Sequence, residues 1–200
     1  MKKCKLVLSV LVVCLPVLSV WAGQWTYNSG SATLSHDTSG WILAVSRNGT
    51  NLTVTSVSQS PGIPSALPLG DPMPGYALVS IGFRAFDGCT GLTAITIPDS
   101  VTIIGNVAFY GCTGLTAITI PAGVTSIGFW AFDGCTGLTA INVHPGNAAY
   151  ASTNGILYNK NQTALIQCPG GLTAITIPAG VISIGDWAFY DCTGLTAITI

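Results

Sequence analysis

The first residues in this sequence with the means to do chemistry are cysteines at one repeated position. Cys89, Cys112 and Cys135 stand 23 residues apart, and the phrase Cys-Thr-Gly-Leu-Thr-Ala-Ile begins at 89, 112, 135 and 192. Such a series offers disulfides or metal ligation. The spacing argues against both. Positions that recur unit after unit stack in one column with parallel Cα–Cβ vectors, which suits small apolar fillers better than bridges. Neighbours in the column also share one ligand direction, with no histidine among them. Cys168 lies outside the column as an odd thiol. His36 and His144 have no carboxylate or nucleophile arranged to work with them. Asp87 and Asp133 share a repeat position, but calcium needs six or more oxygens, and a recurring Asp of this kind reads as a solvated turn. The sequence therefore predicts no enzyme activity, no metal and no cofactor.

Binding residues are sought where one unit differs from the next. The pairs Phe83-Arg84, Asn106-Val107, Phe129-Trp130 and Asp186-Trp187 occupy such a place, between an invariant Gly and an invariant Ala. Trp130 and Trp187 each offer a large apolar face with one polar N–H, suited to a sugar ring or a partner's pocket. An 11-residue insertion lengthens one unit and brings Tyr150, Tyr158 and Lys160, and an added loop on a rigid array commonly carries function. Arg84, Trp130, Trp187, Tyr150, Tyr158 and Lys160 form the candidate binding set.

The elements that must position these residues are short strands. Each unit contains a Leu-x-x-Ile-x-Ile stretch, such as Leu92 to Ile97, whose apolar positions face inward and meet those of the next coil. Leu92, Leu115, Leu138, Leu172 and Leu195, with Cys89, Cys112, Cys135 and Cys192, form the expected core ladder. Pro98, Pro121 and Pro178 end the strands. A second apolar set, Val124, Ile127, Ala131 and Phe132 in one unit, suits a short strand followed by a tight turn or 3₁₀ segment. From Ile141 to Ile175 the step is 34 residues, so the long unit spans 141–174. A fixed period of this size indicates a leucine-rich-repeat solenoid. Its outward strand positions form an Ala column (94, 117, 140, 174, 197) beside a Thr/Asn column (96, 119, 142, 176, 199), a uniform and uncharged face.

Other regions set the context. Lys2, Lys3 and Lys5 precede the apolar run Leu6 to Val20, followed by Trp21-Ala22, so residues 1–22 read as a secretory signal cleaved after Ala22. Residues 23–60 alternate in short β-prone segments, and residues 61–75 read as a Pro/Gly-rich connector in which regular hydrogen bonding lapses. Beyond residue 22 only Arg47, Arg84 and Lys160 stand against seven Asp, a net charge of −4, which excludes a nucleic-acid binder. No later apolar run is long enough to span a bilayer. The chain stops at Ile200 inside a strand motif, and the expectation is either that it is a fragment or that a partner, a second copy included, covers that last coil.

The pattern Val-x-x-Ile-Gly-x-x-Ala-Phe-x-x-Cys-x-x-Leu-x-x-Ile-x-Ile-Pro over residues 101 to 121, and again over 124 to 144 with His144 in the place of the proline, resembles the BspA-type leucine-rich repeats of bacterial and protist surfaces. The resemblance covers residues 76–200. It implies a mainly β, right-handed solenoid preceded by a small β-rich region, located outside the cytoplasm. It further implies adhesion or binding to an extracellular or host protein. Glycan binding through convex aromatics, or a spacer without ligand, are the alternatives.

Overall fold

The computed structural model describes residues 25–36, 41–59, 66–69 and 75–200. The expected signal, residues 1–22, lies outside them. The chain begins as an antiparallel meander of β1 (Trp25–Asn28), β2 (Thr33–His36), β3 (Trp41–Asn48) and β4 (Asn51–Gln59). Period-two alternation sends Leu34, Leu43, Val45, Leu52 and Val54 to one buried face. Arg47 holds the meander to the first repeat. Its guanidinium lies 5.8 Å and 6.0 Å from the ring centroids of Tyr27 and Tyr76 and donates to the Tyr76 hydroxyl.

Hydrogen bonding does not lapse throughout 61–75. Ala66–Pro68 forms β5, in parallel register with β7 (Ala94–Thr96) of the first repeat, after β6 (Ala77–Ile81) has paired with β4. The physical reason is that Leu67-Pro68-Leu69 repeats the apolar alternation of the Ile-x-Ile strand. Both leucines are buried, and a proline is tolerated where its position need not donate to the ladder. β4 and β5 thereby offer the two edges on which the first repeat stacks.

Two 23-residue steps follow, with strands β8 (Ile103–Ile104) and β9 (Ala117–Ile120), then β10 (Ser126–Ile127) and β11 (Ala140–Val143). Pairing is parallel and in repeat register: Ile81 faces Ile104, Ile104 faces Ile127, and Ile118 faces Ile141. Phe86, Phe109 and Phe132 stack along the core at 4.9 Å and 5.6 Å, within 10° of parallel. The Cys112 and Cys135 thiols each donate to the phenylalanine carbonyl of the preceding coil at 3.1 Å. Close backbone approach fixes the pitch, since a Cβ at Gly128 would lie 2.4 Å from the Asn106 nitrogen.

The long unit departs from this plan. It supplies β12 (Tyr150–Thr153), β13 (Ile156–Asn159) and β14 (Ala164–Gln167), an antiparallel trio, and then β15 (Ala174–Thr176). The final coil contributes β16 (Ser183–Ile184), parallel to β14, and β17 (Ala197–Thr199), parallel to β15. The hairpin turn enters the strand ladder, where Ile141 N–H donates to the Gly155 carbonyl at 2.8 Å. The Ala and Thr columns are thus divided into separate pairs, β9 with β11 and β15 with β17. Among the described residues there is no helix, and none long and apolar enough to cross a membrane.

Candidate functional site

Each regular coil turns a corner through the segment Gly-x-x-Ala-Phe, and the second variable residue is left-handed: φ is 56° at Arg84, 59° at Val107, 57° at Trp130 and 61° at Trp187. That conformation costs a residue with a Cβ about 1–2 kcal/mol, yet none of the four is glycine. The same residue's carbonyl accepts the N–H three positions on, from Asp87, Tyr110, Asp133 and Tyr190, at 2.8 to 3.4 Å. One turn therefore presents one pair of side chains. The rungs are Arg84 with Asp87, Val107 with Tyr110, Trp130 with Asp133, and Trp187 with Tyr190. Backbone bonds such as Val107 N–H to the Phe129 carbonyl, 2.9 Å, set one rung above the next. All the rung residues but Asp87, joined by Phe83, line a groove of about 420 Å³.

The long unit carries no such turn; Cys168-Pro169-Gly170-Gly171 passes where it would stand. A Cβ on Gly170 would meet the Cys135 carbonyl at 3.1 Å and the Asp191 carbonyl at 3.4 Å, so the turns before and after the long unit face each other across this segment. Trp130 and Trp187 meet there, centroids 6.5 Å apart and rings at 79°. Tyr190 packs edge-on to Trp187 at 5.6 Å. Both tryptophans remain half exposed, at 49% and 59%.

Beneath them lies Asp133, and the expectation of a solvated turn is wrong for this residue. It is 2% exposed, and its Oδ1 has no hydrogen-bond partner. Removal from water raises its pKa from the ordinary 3.8 to about 6; the Gln167 side chain opposes the shift through a hydrogen bond, and the Asp191 charge adds to it. Asp191 is itself left-handed, φ 56°, where the other coils place Gly88, Gly111 and Gly134. The sequence signal for a solvated Asp was the repeat position. What buries Asp133 is the missing turn of the long unit, which brings Gln167, Trp187 and Asp191 to it.

The sequence-predicted residues divide. Arg84, Trp130 and Trp187 line one groove. Arg84 already pairs with Asp87 at 3.4 Å and lies 5.6 Å from the Phe83 ring centroid. The insertion's residues do not join them. Tyr158 is fully buried and is corrected to a core residue, because β13 runs through the interior of the long unit, with Ile156, Leu157 and Tyr158 all buried and Tyr158 in one cluster with Leu165 and Cys168. Tyr150 is half buried, its hydroxyl accepting the Ile127 N–H at 3.0 Å, and Lys160 donates to the Pro145 and Asn147 carbonyls. Tyr110 and Tyr190 escaped sequence reasoning. Their three-residue offset from the variable position was the available signal, but only the turn's hydrogen bond gives that offset meaning. The thiols are set apart from this surface: Cys112, beside the Cys135 thiol and buried, and Cys168, beside the Cys192 thiol and buried, are both pushed far up and stay protonated.

Regular 23-residue coils with a paired-strand core match the BspA type leucine-rich repeat region in six copies, over residues 75–169 and 161–200. The chain belongs to the BspA-type leucine-rich-repeat family. Among solved structures this repeat protein is similar to a leucine-rich repeat protein from Bacteroides ovatus, at 26% identity and a TM-score of 0.51, covering 79% of this chain and 39% of that one. It is also similar to the T. pallidum leucine-rich repeat protein TpLRR, at 26% identity and a TM-score of 0.54, covering 78% and 67%. The chain thus spans about two-fifths of the Bacteroides ovatus protein. No curated protein matches it significantly.

Proposed function

We propose that this BspA-type repeat protein works outside the cytoplasm as a non-catalytic module that binds a protein through the groove of turns, not through the Ala/Thr strands. One observation carries the reading. Four side chains stand in register at left-handed positions where glycine would be less strained, and two of them are half-exposed tryptophans. Strain of this kind persists where the side chain is needed. The strand face has no aromatic or Arg anchor, its outward columns being Ala and Thr or Asn. Export is supported by the lysine-led apolar segment of residues 1–22 and by the family.

A carbohydrate ligand is the second reading, favoured by the exposed indoles. Their 79° interplanar angle gives one stacking platform instead of two coplanar ones. The test is to present the purified chain to arrays of extracellular proteins and of glycans, alongside a Trp130→Ala/Trp187→Ala variant. A protein hit whose binding falls at least about tenfold in the variant supports the proposal. Glycan hits lost in the variant favour the second reading, and hits that survive it place the site elsewhere.

A further inference from the structure

The groove has a charge pattern as well as an aromatic one. Asp133 and Asp191 are close enough to disturb each other electrostatically, and Asp133 Oδ1 is buried without a partner. Among the described residues the one cation lining this groove, Arg84, already has partners in Asp87 and Phe83. The other two past residue 22 are engaged elsewhere, Arg47 on Tyr27 and Tyr76 and Lys160 on two backbone carbonyls. Trp130, Trp187 and Tyr190 line the same groove as Asp133, with the Asp191 charge felt at Asp133 beside it, and the rings stand at 79° and 82° to their neighbours, so that π faces and edges point in different directions around one spot. A cation is drawn to such faces, more strongly where water is excluded and a counter-charge lies below.

We propose that this spot, between the turns flanking the long unit, binds an arginine side chain of the protein partner, its guanidinium on the indoles of Trp130 and Trp187 and its charge answered by Asp133 and Asp191. Arginine fits better than a bare metal ion, because the lining is mainly aromatic and few oxygens converge on it, whereas a planar, weakly hydrated guanidinium stacks on rings and faces carboxylates at once. The inference rests on the reading of the groove as a protein-binding surface and goes further by naming the chemistry it recognises.

The site should be pH-sensitive. The groups that face Asp133 are Asp191 and Cys192 from the last coil and Gln167 from the long unit, with Tyr110, Tyr190 and Arg84 in the same groove and Asp87 paired with Arg84. Asp133 takes up its proton near pH 6, and the attraction weakens below that.

The experiment is calorimetric or fluorescence titration of the full chain with acetyl-Gly-Arg-Gly-Arg-Gly-amide, and with the same peptide carrying citrulline, the neutral isostere, at both arginines. Binding of the arginine peptide at about pH 7.5 is expected to be at least about tenfold tighter than that of the citrulline peptide. It should weaken at least about fivefold in Asp133→Asn, in Asp191→Asn and in the parent at about pH 5. Circular dichroism of each variant establishes that the fold is kept. Equal affinity for the two peptides, absence of binding, or indifference to both carboxylate substitutions overturns the inference. Should an array-identified partner still depend on Trp130 and Trp187 in that case, the groove stands and only its arginine specificity falls. Should the partner ignore the tryptophans, the broader reading falls first.

Discussion

Replacing Asp133 with Asn should stabilise this protein at neutral pH while impairing its binding. The carboxyl's pKa stands at about 6 against an ordinary 3.8, so the folded chain holds the proton more tightly than the unfolded chain does. Stability contributed by this group is therefore complete below about pH 4 and is lost as pH rises through about 6. At about 1.4 kcal/mol per pH unit, a displacement of about two units sets a ceiling of about 3 kcal/mol. Side-chain relaxation and water entry in the groove reduce this to about 2 kcal/mol. The substituted amide cannot ionise, and it keeps an oxygen for the hydrogen bond with Gln167. In a chain of this size about 2 kcal/mol corresponds to a Tm gain of roughly 4–8 °C at about pH 7.5. At about pH 3 the two proteins should melt within about 1 °C of each other, since this position is then largely neutral in both the folded and the unfolded chain. Thermal unfolding followed by circular dichroism at the two pH values, with the exposed Asp186→Asn as control, measures it. A substitution that is neutral or destabilising at the higher pH, or an equal gain at both pH values, would refute the claim that desolvation holds the proton.

Two further tests address the scaffold. Gly128→Ala should cost about 2–4 kcal/mol in urea unfolding, because its Cβ would lie 2.4 Å from the Asn106 nitrogen and 2.6 Å from the Gly105 carbonyl carbon. Gly180→Ala, with open space around the added methyl and an ordinary φ, should be neutral or slightly stabilising; equal costs would mean that coil apposition does not set the pitch. Asn147→Ala should cost about 2–4 kcal/mol, because the buried amide donates to the Pro121 and Val124 carbonyls and accepts the Ala149 and Tyr150 N–H groups at 2.7 to 2.8 Å. A loss below about 1 kcal/mol would show that water replaces those bonds.

The sequence alone determined the repeat, its inward Ile, Leu and Cys positions and the strand that carries them, because a 23-residue period with alternating apolar residues has one economical way to bury them, coil upon coil. It also marked Arg84, Trp130 and Trp187 as the variable positions. Burial of Tyr158, by contrast, depends on the hairpin strand β13 lying inside the long unit, and no local pattern distinguishes a tyrosine in a loop from one in such a strand. The connector hid a strand because Pro68 and its neighbours read as a break until β7 offered an edge. Asp133 is the sharpest case. Asp87 and Asp133 occupy the same place in the repeat, and Asp87 is exposed while Asp133 is covered. The difference comes from a segment 34 residues further on that omits a turn and lets the next coil close over the acid. A periodic sequence states what recurs. The consequences of one interruption are set by which surfaces it brings together across the gap, and those contacts exist only once the coils are stacked.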